Sequence, residues 1–220
     1  VLAPAGASAQ AVATGVALAR AVKARPVVTR VPLTDAIAAA IERGAAAAVD
    51  YGAHPYAVDL ALVGWGLPEG PFAARDRLNR TTDALPGPAA VMRHVAEALD
   101  RRGRTGSASG AGLYLFDGPT GALTEDTELA AILSAARAAA GRPVRPTRAI
   151  PPEVISDLVM AVLANEGARL CRTQAIARPS DFDVASVLGT GFPRWRGGPM
   201  QAADEAGLLA LRNLLRRVAD

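Results

Sequence analysis

Apolar residues recur along this chain mostly at helical spacing and seldom in strict alternation. Ser8 to Val22 is predicted to be helical, with Val12, Val16 and Ala19 on one face and Pro26 ending the run. The next residues, Pro26-Val27-Val28-Thr29, are β-branched and bounded by proline, which predicts a short strand. Leu33 to Val49 is a second helix with Asp35 in its first turn. Tyr56 to Val63 and Gly70 to Leu78 are short helices around a Gly-Leu-Pro-Glu-Gly-Pro bend, and Pro88 to Arg101 is a further helix. Gly, Ser and Arg crowd Arg101 to Gly112, a loop. Leu113 to Phe116 is strand-like and is followed by an Asp117-Gly118-Pro119 turn. Glu125 to Ala140 is helical, and Pro143 and Pro146 mark a linker. After Pro151-Pro152 comes a long helix. Its Ile155, Leu158, Val159, Val162 and Leu163 form the i, i+3, i+4, i+7, i+8 stripe of a buried face. Asp181 to Leu188 and Leu208 to Val218 complete the helices.

The pattern repeats. Glu42, Pro55, Asp59 and Ala61 recur 124 residues later as Glu166, Pro179, Asp183 and Ala185. Gly66 and Pro68 recur as Gly191 and Pro193, and Gly70, Pro71 and Asp76 recur as Gly198, Pro199 and Asp204. Each copy is a long helix, a short helix, a Gly-x-Pro bend and a Gly-Pro that opens another helix. The predicted boundary falls between Gly141 and Pro151. Two such copies can bury their apolar faces against each other, as a two-fold dimer does, so a monomer is expected.

Composition sharpens this. Half of the 220 residues are apolar, which excludes a disordered chain. Only 4% are aromatic and alanine dominates, which favours close-packed helices over sheets. Lys+Arg 24 against Asp+Glu 21 leaves +3, too little and too scattered for a nucleic-acid footprint. One cysteine, Cys171, excludes an internal disulfide framework and a Cys-rich zinc site. His54 and His94 have no neighbouring ligand at metal spacing, so no metal site is expected. No apolar run reaches a membrane-spanning length. The chain begins at Val1 without a basic leader, so it is read as a part of something longer, and a cytoplasmic location is expected.

Several strings together resemble the C-terminal helical domains of 3-hydroxyacyl-CoA dehydrogenases. They are Val58-Asp59-Leu60-Ala61, Gly66-Leu67-Pro68-Glu69-Gly70-Pro71-Phe72 with Asp76, and Ala164-Asn165-Glu166-Gly167-Ala168. Val187 to Pro199, with its paired glycines, is similar to the second copy in multifunctional fatty-acid β-oxidation enzymes, and Gly103 to Tyr114 resembles the Gly-rich segment between copies. The opening helix and Pro26-Val27-Val28 resemble the end of an NAD-binding domain. The resemblance implies a mainly α fold of two tandem helical domain copies with a short α/β remnant at the N-terminus. Residues 1–30 would be the tail of the NAD-binding domain, 31–145 the first helical copy and 146–220 the second.

The family's active-site Asn falls on Thr34, which has one donor where an amide has two. Thr34 and Asp35 would line the cleft between domains, or else cap a helix start. Arg101, Arg102 and Arg104 in the Gly-rich loop could reach CoA phosphates or be a solvated cluster, so Thr34, Arg101 and Arg104 are the substrate-binding candidates. Glu42, Asp59, Glu166 and Asp183 are taken as structural anchors, with the glutamates accepting from the backbone of the Gly-Pro bend; the alternative for the glutamates is a cleft acid. Asp76 and Asp204 are read as helix-face structural residues. Trp195 would pack on the first copy or stack with an arginine. Cys171 is read as a small buried residue following a helix.

The implied reaction is NAD-dependent oxidation of a 3-hydroxyacyl-CoA. This stretch holds neither the family's catalytic His and Glu nor the Gly-x-Gly-x-x-Gly phosphate loop. No catalytic, NAD-binding or metal-binding residue is therefore assigned here, and the isolated chain is expected to be inactive. Its part would be one wall of the acyl-CoA cleft and a platform for upstream NAD-binding and enoyl-CoA hydratase domains, with thiolase as a further partner. The alternative is a docking module of the same descent without catalysis.

Overall fold

The structure, a computed structural model, describes residues 1–83, 89–118, 120–142 and 150–219. The predicted helix start at Pro88, the turn residue Pro119, the linker prolines Pro143 and Pro146 and the division at 145/146 lie outside the described residues. Among the described residues, ten α-helices and one two-stranded sheet are found in the order α1 (Ala9–Ala21), α2 (Leu33–Tyr51), α3 (Pro55–Trp65), α4 (Pro71–Arg77), α5 (Ala90–Asp100), β1 (Tyr114–Phe116), β2 (Leu123–Glu125), α6 (Leu129–Ala139), α7 (Pro152–Arg172), α8 (Pro179–Gly189), α9 (Pro199–Ala206) and α10 (Leu208–Ala219). The fold is mainly α, in keeping with the expected tandem helical units.

Helix starts follow their local chemistry. Ser8 caps α1 by accepting from Ala11 N–H at 3.2 Å. Proline opens α3, α4, α7, α8 and α9, where a missing N–H costs nothing. Two sequence expectations change. Val27 to Thr29 forms no strand; Thr29 makes single bridges to Leu2 and Ile176, because no neighbouring strand is there to extend the pairing. Glu125 does not begin a helix. It ends β2, which pairs antiparallel with β1 through Tyr114–Glu125 and Phe116–Leu123, and α6 starts four residues later.

The two long repeat-equivalent helices, α2 and α7, form the centre. A Cβ built on Gly44 of α2 would lie 2.9 Å from the Val159 Cα of α7, so the backbones touch where glycine removes the side chain. Around this point α2 buries Ala40, Ala45, Ala46 and Ala48, and α7 buries Ile155, Leu158, Val159 and Leu163 of the predicted stripe. Val162 of that stripe is half-buried. Helices α3, α8, α9 and α10 pack on α7, while α5 lies against α2 and α6. One apolar core runs through both copies, from Ile37, Val58, Phe72 and Leu99 to Leu158, Phe182 and Phe192. Helix α1 is peripheral: Val12, Val16 and Ala19 share a half-buried face, and no residue of this helix is fully buried.

Gly44→Ala is expected to destabilise the chain by about 1–3 kcal/mol, since the methyl must push backbone apart. Gly64→Ala, on an exposed helical position with open space around it, should be neutral or stabilise by up to about 1 kcal/mol. Urea unfolding of the two variants against the parent decides this, and equal behaviour of both would remove the close seam.

Candidate functional site

The Gly-Pro bends are held by aspartates. Asp59 on α3 accepts from Phe72 N–H at 3.0 Å and Ala73 N–H at 2.8 Å, the free donors of the α4 N-terminus. Asp183 on α8 accepts from Met200 N–H at 2.7 Å at the start of α9. In both copies the glycine before the proline, Gly70 or Gly198, lies so close to the aspartate that a Cβ would collide with its carboxylate carbon. Glycine is required there by proximity.

The two bends face each other reciprocally. A Cβ on Gly66 would lie 2.8 Å from Pro193 Cγ, and one on Gly191 would lie 2.9 Å from Pro68 Cγ. Since Gly66 matches Gly191 and Pro68 matches Pro193, each copy presents the same groups to the other, the signature of a two-fold contact. Phe192 is buried edge-on against Trp65, with centroids 5.2 Å apart, and the Arg196 guanidinium lies 4.2 Å above the Trp65 ring. Trp195 covers Gly66 of the first copy yet stays 75% exposed. The cation–π contact thus uses Arg196 on Trp65, while Trp195 is the packing residue.

Next to this junction is the start of α2. Thr34 and Asp35 are exposed, and the Thr34 methyl abuts Gly189 at the end of α8, 2.9 Å from where a Cβ would be. Neither caps the helix; Pro32 occupies the cap position, so both side chains are free of that duty. The preceding segment is pinned to the helical body: Thr29 bridges Leu2 and Ile176, and Arg30 N–H donates to Ala175 O at 2.8 Å.

The other singled-out residues separate. Arg104 is not available to a ligand phosphate. It is buried, with Nη1 on Asp126 at 2.6 Å and Nε and Nη2 on Gly112 O, because the Gly-rich loop needs a fork of donors to close on itself. Arg101 is exposed at the end of α5, beside a groove of about 570 Å³ between α5 and α6. The arginine cluster read from sequence is therefore not one site. Glu42 and Glu166 do not accept from the bend backbone; the aspartates do that. Glu42 is paired with Arg75 at 2.7 Å and Arg80 at 3.4 Å. Glu166 is paired with Arg169 at 2.6 Å and, across the seam, with Arg43 at 3.0 Å. The Arg169 hydrogen bonds hold the Glu166 carboxyl below its usual range.

Asp76 is fully buried, accepting from Thr81 Oγ1 at 2.6 Å and Tyr114 N–H at 2.8 Å, whereas its counterpart Asp204 is exposed. His54 caps α3, its Nδ1 accepting from Tyr56 N–H at 3.3 Å, and burial pushes its pKa down. His94 has a carboxylate neighbour after all, Glu97 at 3.1 Å, one helical turn on. Cys171 lies within α7, not after it, and burial pushes its thiol up. Among the described residues no three of His, Cys, Asp and Glu gather as a metal group.

Sequence reasoning missed a buried polar cluster in the first copy. The Tyr114 hydroxyl donates to Asp59 Oδ2 at 2.9 Å, and the Tyr56 hydroxyl donates to Leu113 O at 2.6 Å and accepts from Asp126 N–H at 2.8 Å. The two rings pack with centroids 4.6 Å apart, tilted by 40°. Burial pushes Tyr56 up to about 12 and Asp59 up to about 6. The signal in the sequence was slight: a tyrosine directly after the repeat's proline, and another closing the Gly-rich loop.

Asp59 has a folded pKa above its ordinary 3.8, so between about 4 and 6 the folded chain binds the extra proton. Stability from this group therefore rises as pH falls through that window. Asp59→Asn should lower stability at pH 7 by about 1–3 kcal/mol, because one bend N–H then meets an amide NH₂. The deficit should grow, by on the order of 1 kcal/mol, on going to pH 4.5. Urea titrations of both proteins at the two pH values test this; a constant difference would mean that Asp59 titrates normally.

No family model matches the chain. It is 29% identical over 180 residues to the peroxisomal bifunctional enzyme of Danio rerio, covering 73% of this chain and 25% of that protein. It is 25% identical over 228 residues to the peroxisomal fatty acid beta-oxidation multifunctional protein AIM1 of Arabidopsis thaliana, covering 97% and 31%. The chain thus spans about a quarter to a third of the length of these relatives. Its fold resembles the crystal structure of the dehydrogenase part of multifunctional enzyme 1 from C. elegans, with a TM-score of 0.57, 19% identity, and coverage of 87% of this chain and 45% of that one. The cytoplasmic expectation is corrected: the related proteins from fish and plants are peroxisomal or glyoxysomal by name, and a single thiol was too little to decide a compartment. Over most of its length, the chain is similar in sequence to peroxisomal multifunctional β-oxidation proteins, and it shares the fold of the dehydrogenase part of one multifunctional enzyme.

Proposed function

We propose that this chain is the C-terminal portion of a 3-hydroxyacyl-CoA dehydrogenase, forming one wall of the acyl-CoA cleft and the platform for an NAD-holding domain. Residues 1–30 are the tail of that domain, and 31–145 and 146–220 are the two helical copies. The observation that carries this reading is the pinned approach to α2. Thr29 is bridged to both Leu2 and Ile176, and five residues later the exposed Thr34 hydroxyl is free of any capping duty. A fixed junction next to a free hydroxyl is what a cleft wall between two domains requires.

The chain's own residues do not fit NAD. It contains no Gly-x-Gly-x-x-Gly string, and its Gly-rich loop is closed internally by Arg104 rather than opened to a phosphate. Hydride transfer thus belongs to the partner domain, and this chain contributes orientation and exclusion of water. In the full-length enzyme it would act beside NAD-binding and enoyl-CoA hydratase domains, with thiolase as a further partner. A second reading, a docking module without catalysis, draws on Thr34 in place of the family's Asn and on the exposed Trp195 at the doubled bend.

Calorimetry with acetoacetyl-CoA, using this chain, the NAD-holding domain and the two combined, separates these readings. The cleft wall predicts tighter binding in the combined sample than in either alone, reduced about fivefold by Thr34→Val. Association of the two proteins with no gain in acyl-CoA affinity supports docking, and no association at all overturns both.

A further inference from the structure

The internal repeat exposes a vacancy. In the first copy Leu113 and the first strand residue, Tyr114, lie on a seat made by Tyr56, Asp59 and Asp76. Tyr114 gives its hydroxyl to Asp59 at 2.9 Å and its N–H to Asp76 at 2.8 Å. With that segment in place Asp59 and Asp76 are 5% and 0% exposed.

In the second copy the matching positions line an open groove of about 610 Å³ between α7, α8, α9 and α10. That volume is within the roughly 300–1,000 Å³ of ligand sites. Asp183 and Asp204 stand for Asp59 and Asp76, Met200 for Phe72, and Ser180 for Tyr56, the largest wall side chain in the first copy. No Gly-rich loop and hairpin follow α9, because α10 starts two residues after it ends. All three tyrosines of the chain belong to the first copy. Asp183 is accordingly only half-buried and Asp204 exposed, and among the described residues no hydroxyl reaches either of them. The groove has an apolar lining that includes Ala161, Ala164 and Leu211, which form a small buried cluster with Ala203.

We propose that this groove receives an extended peptide segment of a partner protein carrying a tyrosine, whose hydroxyl donates to Asp183 and whose backbone N–H donates to Asp204. The occupant is defined by what the first copy supplies to itself: a phenol, an N–H and an apolar neighbour on one strand. Burial and the nearby Asp204 push the Asp183 pKa up, a cost that a phenol donor relieves in the way Tyr114 does for Asp59. The proposal stands apart from the dehydrogenase reading and does not need it.

The test is an NMR titration of the ¹⁵N-labelled full chain with the peptide acetyl-Gly-Leu-Tyr-Leu-Phe-Lys-Lys-amide, which copies the first-copy strand. Saturable shifts are expected at the Met200, Gln201 and Asp204 amides, with a Kd below about 1 mM. The same peptide with phenylalanine for tyrosine should bind about tenfold more weakly. Ala168→Trp, at an exposed position on the α7 wall, should abolish the shifts while leaving the rest of the spectrum in place. Equal affinity of the two peptides overturns the proposal, as does the absence of saturable shifts at those amides or persistence of binding in Ala168→Trp. Saturable binding of p-cresol without binding of the peptide overturns it too, in favour of a small phenolic ligand. Should the variant fail to fold, the comparison of the two peptides on the parent chain still decides.

Discussion

The backbone contact between α2 and α7 is the constraint on which the rest of the molecule depends. Gly44 removes the one side chain that would hold the two helices apart at Val159, and alanines on α2 keep the approach close on either side. Tight approach of two long helices fixes where everything attached to them can lie. The short helices α3 and α8 both pack on α7, and the bends that follow them meet reciprocally, Gly66 on Pro193 and Gly191 on Pro68. A two-fold dimer achieves this with two chains. Here it is reached within one, so the junction near Thr34 is built from residues more than 150 positions apart.

Buried charge follows the same logic, with an instructive asymmetry. Glu42 is neutralised by Arg75 from its own copy. The position matching Arg75 in the second copy is Ala203, so Glu166 has no partner from the helix that pairs with Glu42 in the first copy. It is met by Arg43 reaching over the seam and by Arg169 on its own helix. The Arg43 contact adds a charge pair between the copies to the one that the second copy supplies itself, and so ties the pair together beyond apolar packing.

The copies also differ in what they have kept. The first retains the Gly-rich loop and hairpin, which deliver Tyr114 to Asp59 and bury Arg104 on Asp126. The second has α10 directly after α9 instead and opens toward solvent at the same place. What reads as an arginine cluster for phosphates is, in the folded chain, divided: one arginine closes the loop, and another is exposed at a helix end. Electrostatics near the surface therefore owe more to loop closure than to the density of basic residues along the sequence.

Much was legible beforehand. Helical periodicity, proline at helix starts and the matched Gly, Pro and Asp positions are local or self-comparing signals, and they sufficed for the helices, the duplication and the family resemblance. Partnerships were not legible. The sequence could not tell that the bend donors go to Asp59 and Asp183 instead of Glu42 and Glu166, since carboxylates on adjacent helices differ only in where tertiary packing aims them. Nor could it tell that Val27 to Thr29 has no strand to pair with, or that Arg104 turns inward. The chain by itself determined its elements and their repetition, because those follow from backbone sterics and from side-chain period. Tertiary structure alone decided which charged groups are buried together and which stay exposed, because that depends on which distant residues the α2–α7 seam brings within hydrogen-bond reach.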